Sequence, residues 1–298
     1  MVYLSDFDYY RPSTVDEACH LLARFHEDAK VLAGGTDLLP KMKNELIAPR
    51  VLVSLRSISQ IRGIFHVQGR GIVIGAGMTH NGLINSPLLQ ERHPSISEAA
   101  HTMANNQVRN MGTVGGNLVS AVPSADLPPI LIALDASVTL TGTGGKRTMI
   151  LGHFFVGPQR SAILPDEVLE EITIPDQLAT GSAYIKFGLR RSGALAVVGV
   201  AASVVAEDKA VRSARIVLGA VAPTPIRATS AEELLVGREA TEEVLEEVGR
   251  AAALECKPIS DIRGSEEYRR DMVRVFTKRT LRKALDIAKT RDREERWQ

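Results

Sequence analysis

Twice in its first 121 residues the chain runs from an apolar stretch into two adjacent glycines set among small polar residues: VLAGGTDLLP at 31–40 and GTVGGNLVSA at 112–121. Glycine has no Cβ, so such a pair ends a strand or helix, permits positive φ and lets another group lie against the backbone. Each segment is therefore either a strand-to-helix turn or a place where the backbone leaves room for a phosphate, and a lone Gly-Gly turn is more often the former. No Lys or Arg lies between Val31 and Pro40. An anion held there would rest on backbone N–H groups, each worth about 1.5–3 kcal/mol to a charged acceptor, so three or four suffice for a diphosphate. Neither GxxxxGK[ST] nor GxGxxG is present. In the second segment Thr113, Asn117, Ser120, Ser124 and Asp126 make a polar loop able to wrap a phosphate or ribitol, and Pro123, Pro128 and Pro129 stiffen its exit. Asp126 either accepts definite hydrogen bonds or caps a helix starting at Leu127. Two such loops about eighty residues apart suggest two grips on one long ligand carrying a diphosphate, such as a dinucleotide.

The 298 residues are enough for two or three packed units. Ser13 with Asp16 predicts a capped helix bearing Val15, Ala18, Leu22 and Phe25 on one face. Lys30–Ala33 and Val51–Leu55 read as strands around a short helix at Asp37–Asn44. Residues 1–57 thus form a small α/β unit. A second α+β unit, 58–175, is expected to contain strands at Ile72–Ile74, Ala136–Thr141 and Val168–Ile174, with helices at Leu83–Leu89, Ile96–Met103 and Pro128–Leu134. Residues 176–290 read as a C-terminal α+β domain. Its strand runs are Tyr184–Leu189, Ala194–Val205 and Ala214–Ala220, the last two joined across the turn Glu207-Asp208-Lys209. Helices follow at Ala231–Leu235, at Glu242–Leu254 and from Glu266 towards Lys289. The last should pack one side and solvate the other, with Asp271, Val275 and Arg279 on one stripe and Met272, Phe276 and Thr280 on the next. Residues 291–298 are a polar tail. The fold class expected is α+β: two α/β subdomains, one with a small parallel sheet and one larger and mixed or antiparallel, then a domain with a three-stranded antiparallel sheet and helices.

Charge and cysteine content narrow the function. Lys plus Arg, 36, nearly cancels Asp plus Glu, 35, which gives no case for nucleic acid as the main ligand. No apolar run approaches the roughly 20 residues of a membrane helix, and the N-terminus lacks the order of a signal peptide. The two cysteines, Cys19 and Cys256, exclude a cysteine-held iron–sulfur cluster or a Cys-rich zinc site within this chain. They are expected to be buried reduced thiols. His20, His66, His80, His93, His101 and His153 lack metal spacing and read as surface or capping residues. Arg190 and Arg191 read as a solvated strand edge, and the basic C-terminal helix as a packing or docking element.

The pair LAGGTDLLP and GTVGGNLVSAVPSADLPP resembles the flavin-binding subunit of molybdenum hydroxylases, the xanthine dehydrogenase and carbon monoxide dehydrogenase group. FDYYRPSTVDEACHLL, VLVSLRSISQIRGI, IVIGAGMTHNGL, EVLEEITIP, YIKFGLRR and SDIRGSEEYRRDMV extend the resemblance over nearly the whole chain. It implies non-covalent FAD between the first two units, with both glycine loops on its pyrophosphate. Val31, Leu32, Ala33, Gly34, Gly35, Thr36, Asp37 and Leu38 would supply the first loop, and Thr113, Val114, Gly115, Gly116 and Asn117 the second. Asp126 would bind near the ribose, and Met103, Leu169, Lys186 and Leu195 near the flavin ring. For Lys186 the ordinary reading is a solvated strand lysine. The functional one is a cation that stabilises anionic reduced flavin. With no cation in the first loop, the Asp37 N–H, rather than its carboxylate, should face the diphosphate.

This chain has aliphatic residues at Ala194 and Leu195, where relatives place acidic or aromatic ones. It also lacks the cysteine-rich insert that some relatives use for a further cluster. The resemblance implies an electron-transfer oxidoreductase subunit of a cytoplasmic complex. Its partners would be a small [2Fe–2S] subunit and a large molybdopterin subunit, as a dimer of heterotrimers, and no catalytic or metal-binding residue is expected in this chain. A self-contained FAD-dependent oxidoreductase and a docking scaffold are the competing readings.

Overall fold

The computed structural model describes residues 4–176, 180–190, 192–207 and 210–296. Three strands, Asp8–Tyr10, Val51–Ser54 and Ala29–Leu32, form a parallel sheet with Val51–Ser54 in the middle. The helix Val15–Phe25 covers it, burying Val15, Ala18, Cys19 and Leu22. Its cap lies one residue later than the sequence predicts: Thr14 accepts from the N–H of Glu17, whose carboxylate accepts from the N–H and hydroxyl of Ser13. Two adjacent hydroxyls and two adjacent acids made either frame feasible, and the frame that buries Val15 won.

The second sheet is wholly antiparallel, in the order Ile64–Val67, Gly71–Gly75, Val168–Ile174, Ser137–Gly142, Gly145–Ile150. Its two edge strands were not anticipated. The stretch expected to be helical at Leu83–Leu89 is two helices, His80–Ile84 and Pro87–Arg92, because Pro87 starts a new helix capped by Ser86. Pro94–His101, Asn106–Met111, Val114–Val119 and Leu127–Ala133 are further helices of this unit, which also holds a two-stranded antiparallel sheet, Phe155–Gly157 with Arg160–Ser161. Leu127–Ala133 is buried along its whole length.

The C-terminal sheet pairs Thr180–Phe187, Val198–Glu207 and Ala210–Gly219 as antiparallel neighbours, and a two-residue fourth strand, Ile226–Arg227, adds to the three expected. Asp208 and Lys209, the centre of the expected turn, lie outside the described residues, as does Arg191. Helices Glu242–Glu255 and Glu266–Arg296 pack against one another and, through the latter, on this sheet. The buried stripe of the long helix is Val273, Thr277, Thr280, Leu281, Ala284, Leu285 and Ala288, displaced from the one read in the sequence. Two threonines in the stripe disguise it. Three of its cations are paired rather than open: Arg274, Lys278 and Arg282 pair with Glu242 or Glu246 of the neighbouring helix.

Arg269 fastens the start of this helix. Only 3% exposed, it donates to the carbonyls of Val197 and Ala220 at 3.2 and 3.3 Å and to Asp261 at 2.6 Å. Arg269→Met is expected to lower the unfolding free energy in urea by about 2–3 kcal/mol, since it strands the two buried carbonyls, whereas Asp261 keeps Arg263. A loss below about 0.5 kcal/mol, the ordinary range of surface substitutions, contradicts this account.

Candidate functional site: a cleft between two glycine loops

The first loop begins where strand Ala29–Leu32 ends and leads into the short helix Leu38–Lys43. Gly35 takes φ +78°, a conformation costly for other residues. Gly34 lies against the second loop: a Cβ there would fall 2.7 Å from the Met111 carbonyl carbon, closer still to its oxygen, and 2.9 Å from Gly112 Cα. The Ser120 hydroxyl donates to the Asp37 carboxylate at 2.8 Å, a second tie between the loops. Among the described residues no hydrogen bond occupies the N–H groups of Gly34, Gly35, Thr36 and Asp37.

The second loop is built differently. Thr113 caps helix Val114–Val119, its hydroxyl accepting from the Gly116 N–H at 3.0 Å. The N–H groups of Val114 and Gly115 donate to the carbonyls of Met78 and Ala76, both at 2.9 Å. This loop therefore offers bare Cα surface at Gly116 and the side chain of Asn117, whose Oδ1 is buried without a partner among the described residues.

Between the loops opens a cleft of about 770 Å³ that runs on to Asp126, Leu169, Lys186 and Leu195, within the size range of small-molecule and cofactor sites. Asp126 does not cap its helix. Its carboxylate accepts from the Tyr184 hydroxyl and the Lys186 ammonium, both at 2.8 Å. Burial pushes the Asp126 carboxyl up from its ordinary value while Lys186 pulls it back, and burial with the adjacent carboxylate pushes the Tyr184 phenol well up. Lys186, with a side chain 10% exposed, also donates to the Thr102 carbonyl at 3.2 Å, which removes the solvated-lysine reading.

All the ligand contacts that the resemblance implies line this cleft except Leu32 and Val114, which are buried in the cores beneath it. Among the lining residues not singled out as ligand contacts are His80, Ala104, Gln159 and Gly193. Lys41 donates to Gln159 at 3.2 Å across the cleft mouth. His80 and His93 are buried rather than superficial, at 4% and 8% exposure, whereas His20, His66, His101 and His153 are exposed. Both cysteines are free and buried, Cys19 donating to the Thr141 carbonyl. The described residues hold no cluster of His, Cys, Asp or Glu able to bind a metal, and no helix long and apolar enough to cross a membrane.

Residues 5–177 match the FAD binding domain in molybdopterin dehydrogenase, and residues 183–284 match the CO dehydrogenase flavoprotein C-terminal domain. The chain belongs to the flavin-binding medium subunits of the molybdenum hydroxylases. It is 38% identical to the carbon monoxide dehydrogenase medium chain of Hydrogenophaga pseudoflava over 279 residues, covering 93% of this chain and 96% of that one. It is 29% identical to the xanthine dehydrogenase FAD-binding subunit of Escherichia coli O157:H7, covering 94% and 96%. A solved structure of carbon monoxide dehydrogenase from Hydrogenophaga pseudoflava, one lacking the Mo-pyranopterin moiety of its cofactor, superposes with a TM-score of 0.92 at 37% identity over 96% of this chain and 99% of that chain. This medium subunit is thus an oxidoreductase component of α+β architecture, with the small parallel sheet, the antiparallel sheets and the helical C-terminal domain of that family. Its free amides at Gly34–Asp37, the open face of Gly116 and the unpartnered Asn117 oxygen fit a dinucleotide with a diphosphate.

Proposed function

We propose that the cleft holds FAD non-covalently and that this chain is the electron-transfer subunit of a cytoplasmic molybdenum hydroxylase. It would receive electrons from [2Fe–2S] clusters of a small partner subunit and deliver them to an external acceptor. Substrate oxidation would belong to a large molybdopterin subunit, in a dimer of heterotrimers. The supporting observation is that one continuous cleft joins two glycine loops to a buried Asp126–Lys186 pair. When bound, FAD takes up electrons singly or in pairs and so can link one-electron carriers to a two-electron acceptor.

The chain's own residues bind and orient. The N–H groups of Gly34, Gly35, Thr36 and Asp37 are the donors for the diphosphate, and the Asp37 carboxylate, already engaged by Ser120, is turned to loop-to-loop contact. Gly116 lets the ligand lie against the backbone of the second loop, and Asn117 satisfies its free oxygen on a ligand hydroxyl or amide. Lys186, held by Asp126 and the Thr102 carbonyl, sets a fixed cation at the far end of the cleft. Met103 and Leu169, 8% and 4% exposed, give that end apolar walls that exclude water, and half-exposed Leu195 stands at its edge.

Purified chain incubated with FAD and desalted should show flavin absorption at about 450 nm, and denaturation should release the chromophore. Absence of that band would sink the reading and leave a docking scaffold. Turnover of a small substrate by the isolated chain would favour a self-contained oxidoreductase instead.

A further inference from the structure

His80 follows the strand Gly71–Gly75 and opens the helix His80–Ile84. Its backbone N–H donates to the Gly112 carbonyl at 3.1 Å, which clips it to the second glycine loop. Its ring occupies the space that Gly112 leaves: a Cβ on Gly112 would lie 3.0 Å from Cδ2 and 3.1 Å from Nε2. Gly34 of the first loop approaches the same turn, nearest to the Met111 carbonyl and next to Gly112 Cα. The imidazole therefore stands at the meeting point of the two loops, on the wall of the cleft. Neither ring nitrogen has a hydrogen bond among the described residues, and Nδ1 is sealed from solvent. A buried polar group without a partner costs about 1–3 kcal/mol and calls for an explanation.

Two charged groups act on this ring, Asp37 from the first loop and Arg109 from the helix Asn106–Met111. Burial, opposed by Asp37 and helped by Arg109, pushes the imidazole down to about 4, so it is neutral at pH 7. A neutral imidazole carries one N–H. On Nδ1 that proton would be buried with no acceptor, and orphaned N–H groups are the rarer kind in folded proteins. The proton belongs on Nε2, the atom beside Gly112.

We propose that the Nε2–H of His80 donates a hydrogen bond to a phosphate oxygen of the bound dinucleotide. This rests on the FAD reading and deepens it, by giving the diphosphate one side-chain donor beside the backbone amides. Gly112 then has a role of its own, to leave the imidazole its place.

The test is calorimetric titration of the flavin-free full chain at pH 7 with FAD, ADP and riboflavin, in the wild type, His80→Leu and His80→Gln. His80→Leu should bind FAD and ADP about tenfold to a hundredfold more weakly, the effect of losing one hydrogen bond to a charged group. Its riboflavin affinity should stay within twofold, and His80→Gln, which restores an N–H donor, should recover most of the loss. Unchanged FAD and ADP affinities in His80→Leu overturn the proposal and leave the FAD reading standing. Equal losses for all three ligands also overturn it, because they mark the ring as packing alone. A wild type that takes up no FAD overturns the underlying reading. Should His80→Leu fail to fold, the wild type decides: its His80 Nε2 resonance in ¹⁵N-resolved spectra must move with ADP but not with riboflavin, and an unmoved signal removes the proposal.

Discussion

Gly34→Ala is expected to abolish retention of FAD and to destabilise the chain by about 3 kcal/mol, at the upper end for overpacking. The added methyl would meet only backbone: the Met111 carbonyl and Gly112 Cα. No side chain can swing aside, so the two loops must part, and with them the walls of the cleft. Gly116→Ala is the matched control. Its methyl would meet the Thr113 hydroxyl at 3.0 Å and nothing else within contact range, so the fold should tolerate it and only the ligand should notice. Flavin absorbance after desalting, alongside urea unfolding, separates the two. A Gly34→Ala chain that keeps stoichiometric flavin would show that the loops do not pack as described.

Lys186→Met should cost about 3 kcal/mol at neutral pH, the usual penalty for removing one member of a buried ion pair. The Asp126 carboxylate would be left with the Tyr184 hydroxyl alone. Burial already pushes Asp126 up and Lys186 opposes that push, so without the lysine the carboxyl rises further. A carboxyl raised in the folded state holds its proton more tightly there than in the unfolded chain. The resulting deficit is absent below the unfolded value of ~3.9 and grows as pH rises through the raised folded value. The variant should therefore approach wild-type stability in mild acid and fall behind towards neutrality. Adding Asp126→Asn should restore most of the loss. Urea midpoints from pH 4 to 8 test this, and a deficit that stays constant over that range contradicts it.

The parts legible in the sequence were those with a local cause. The strands Gly71–Gly75 and Val168–Ile174 and the helix Leu127–Ala133 are apolar along most of their length and announce themselves. The edge strands Ile64–Val67 and Gly145–Ile150 carry mostly polar or exposed residues and have no such signature. The buried stripe of the last helix escaped because Thr277 and Thr280 sit in it, the latter donating back to the Phe276 carbonyl. In the cleft, the loops were visible through their glycines. The burial of His80 was not, because it depends on a missing Cβ at Gly112 and a backbone bond across 32 residues. The same holds for Asp126, whose partners lie 58 and 60 residues away. The second loop's amides looked available, yet Ala76 and Met78, on a neighbouring turn, had already taken two of them.

The contact of Gly34 with Met111 and Gly112, the Ser120–Asp37 bond and the Lys41–Gln159 bond all join the first lobe of the chain to the second. The cleft is thus a seam, present in neither lobe alone, and its lysine arrives only at residue 186. A growing chain cannot load its cofactor until more than half of it has been made and both lobes have docked. Once loaded, the ligand works as a removable crosslink: at a hundredfold excess over its Kd it adds about 2.7 kcal/mol against any opening that parts the lobes. Protease sensitivity at the seam, more than bulk melting, should report whether this subunit carries its flavin.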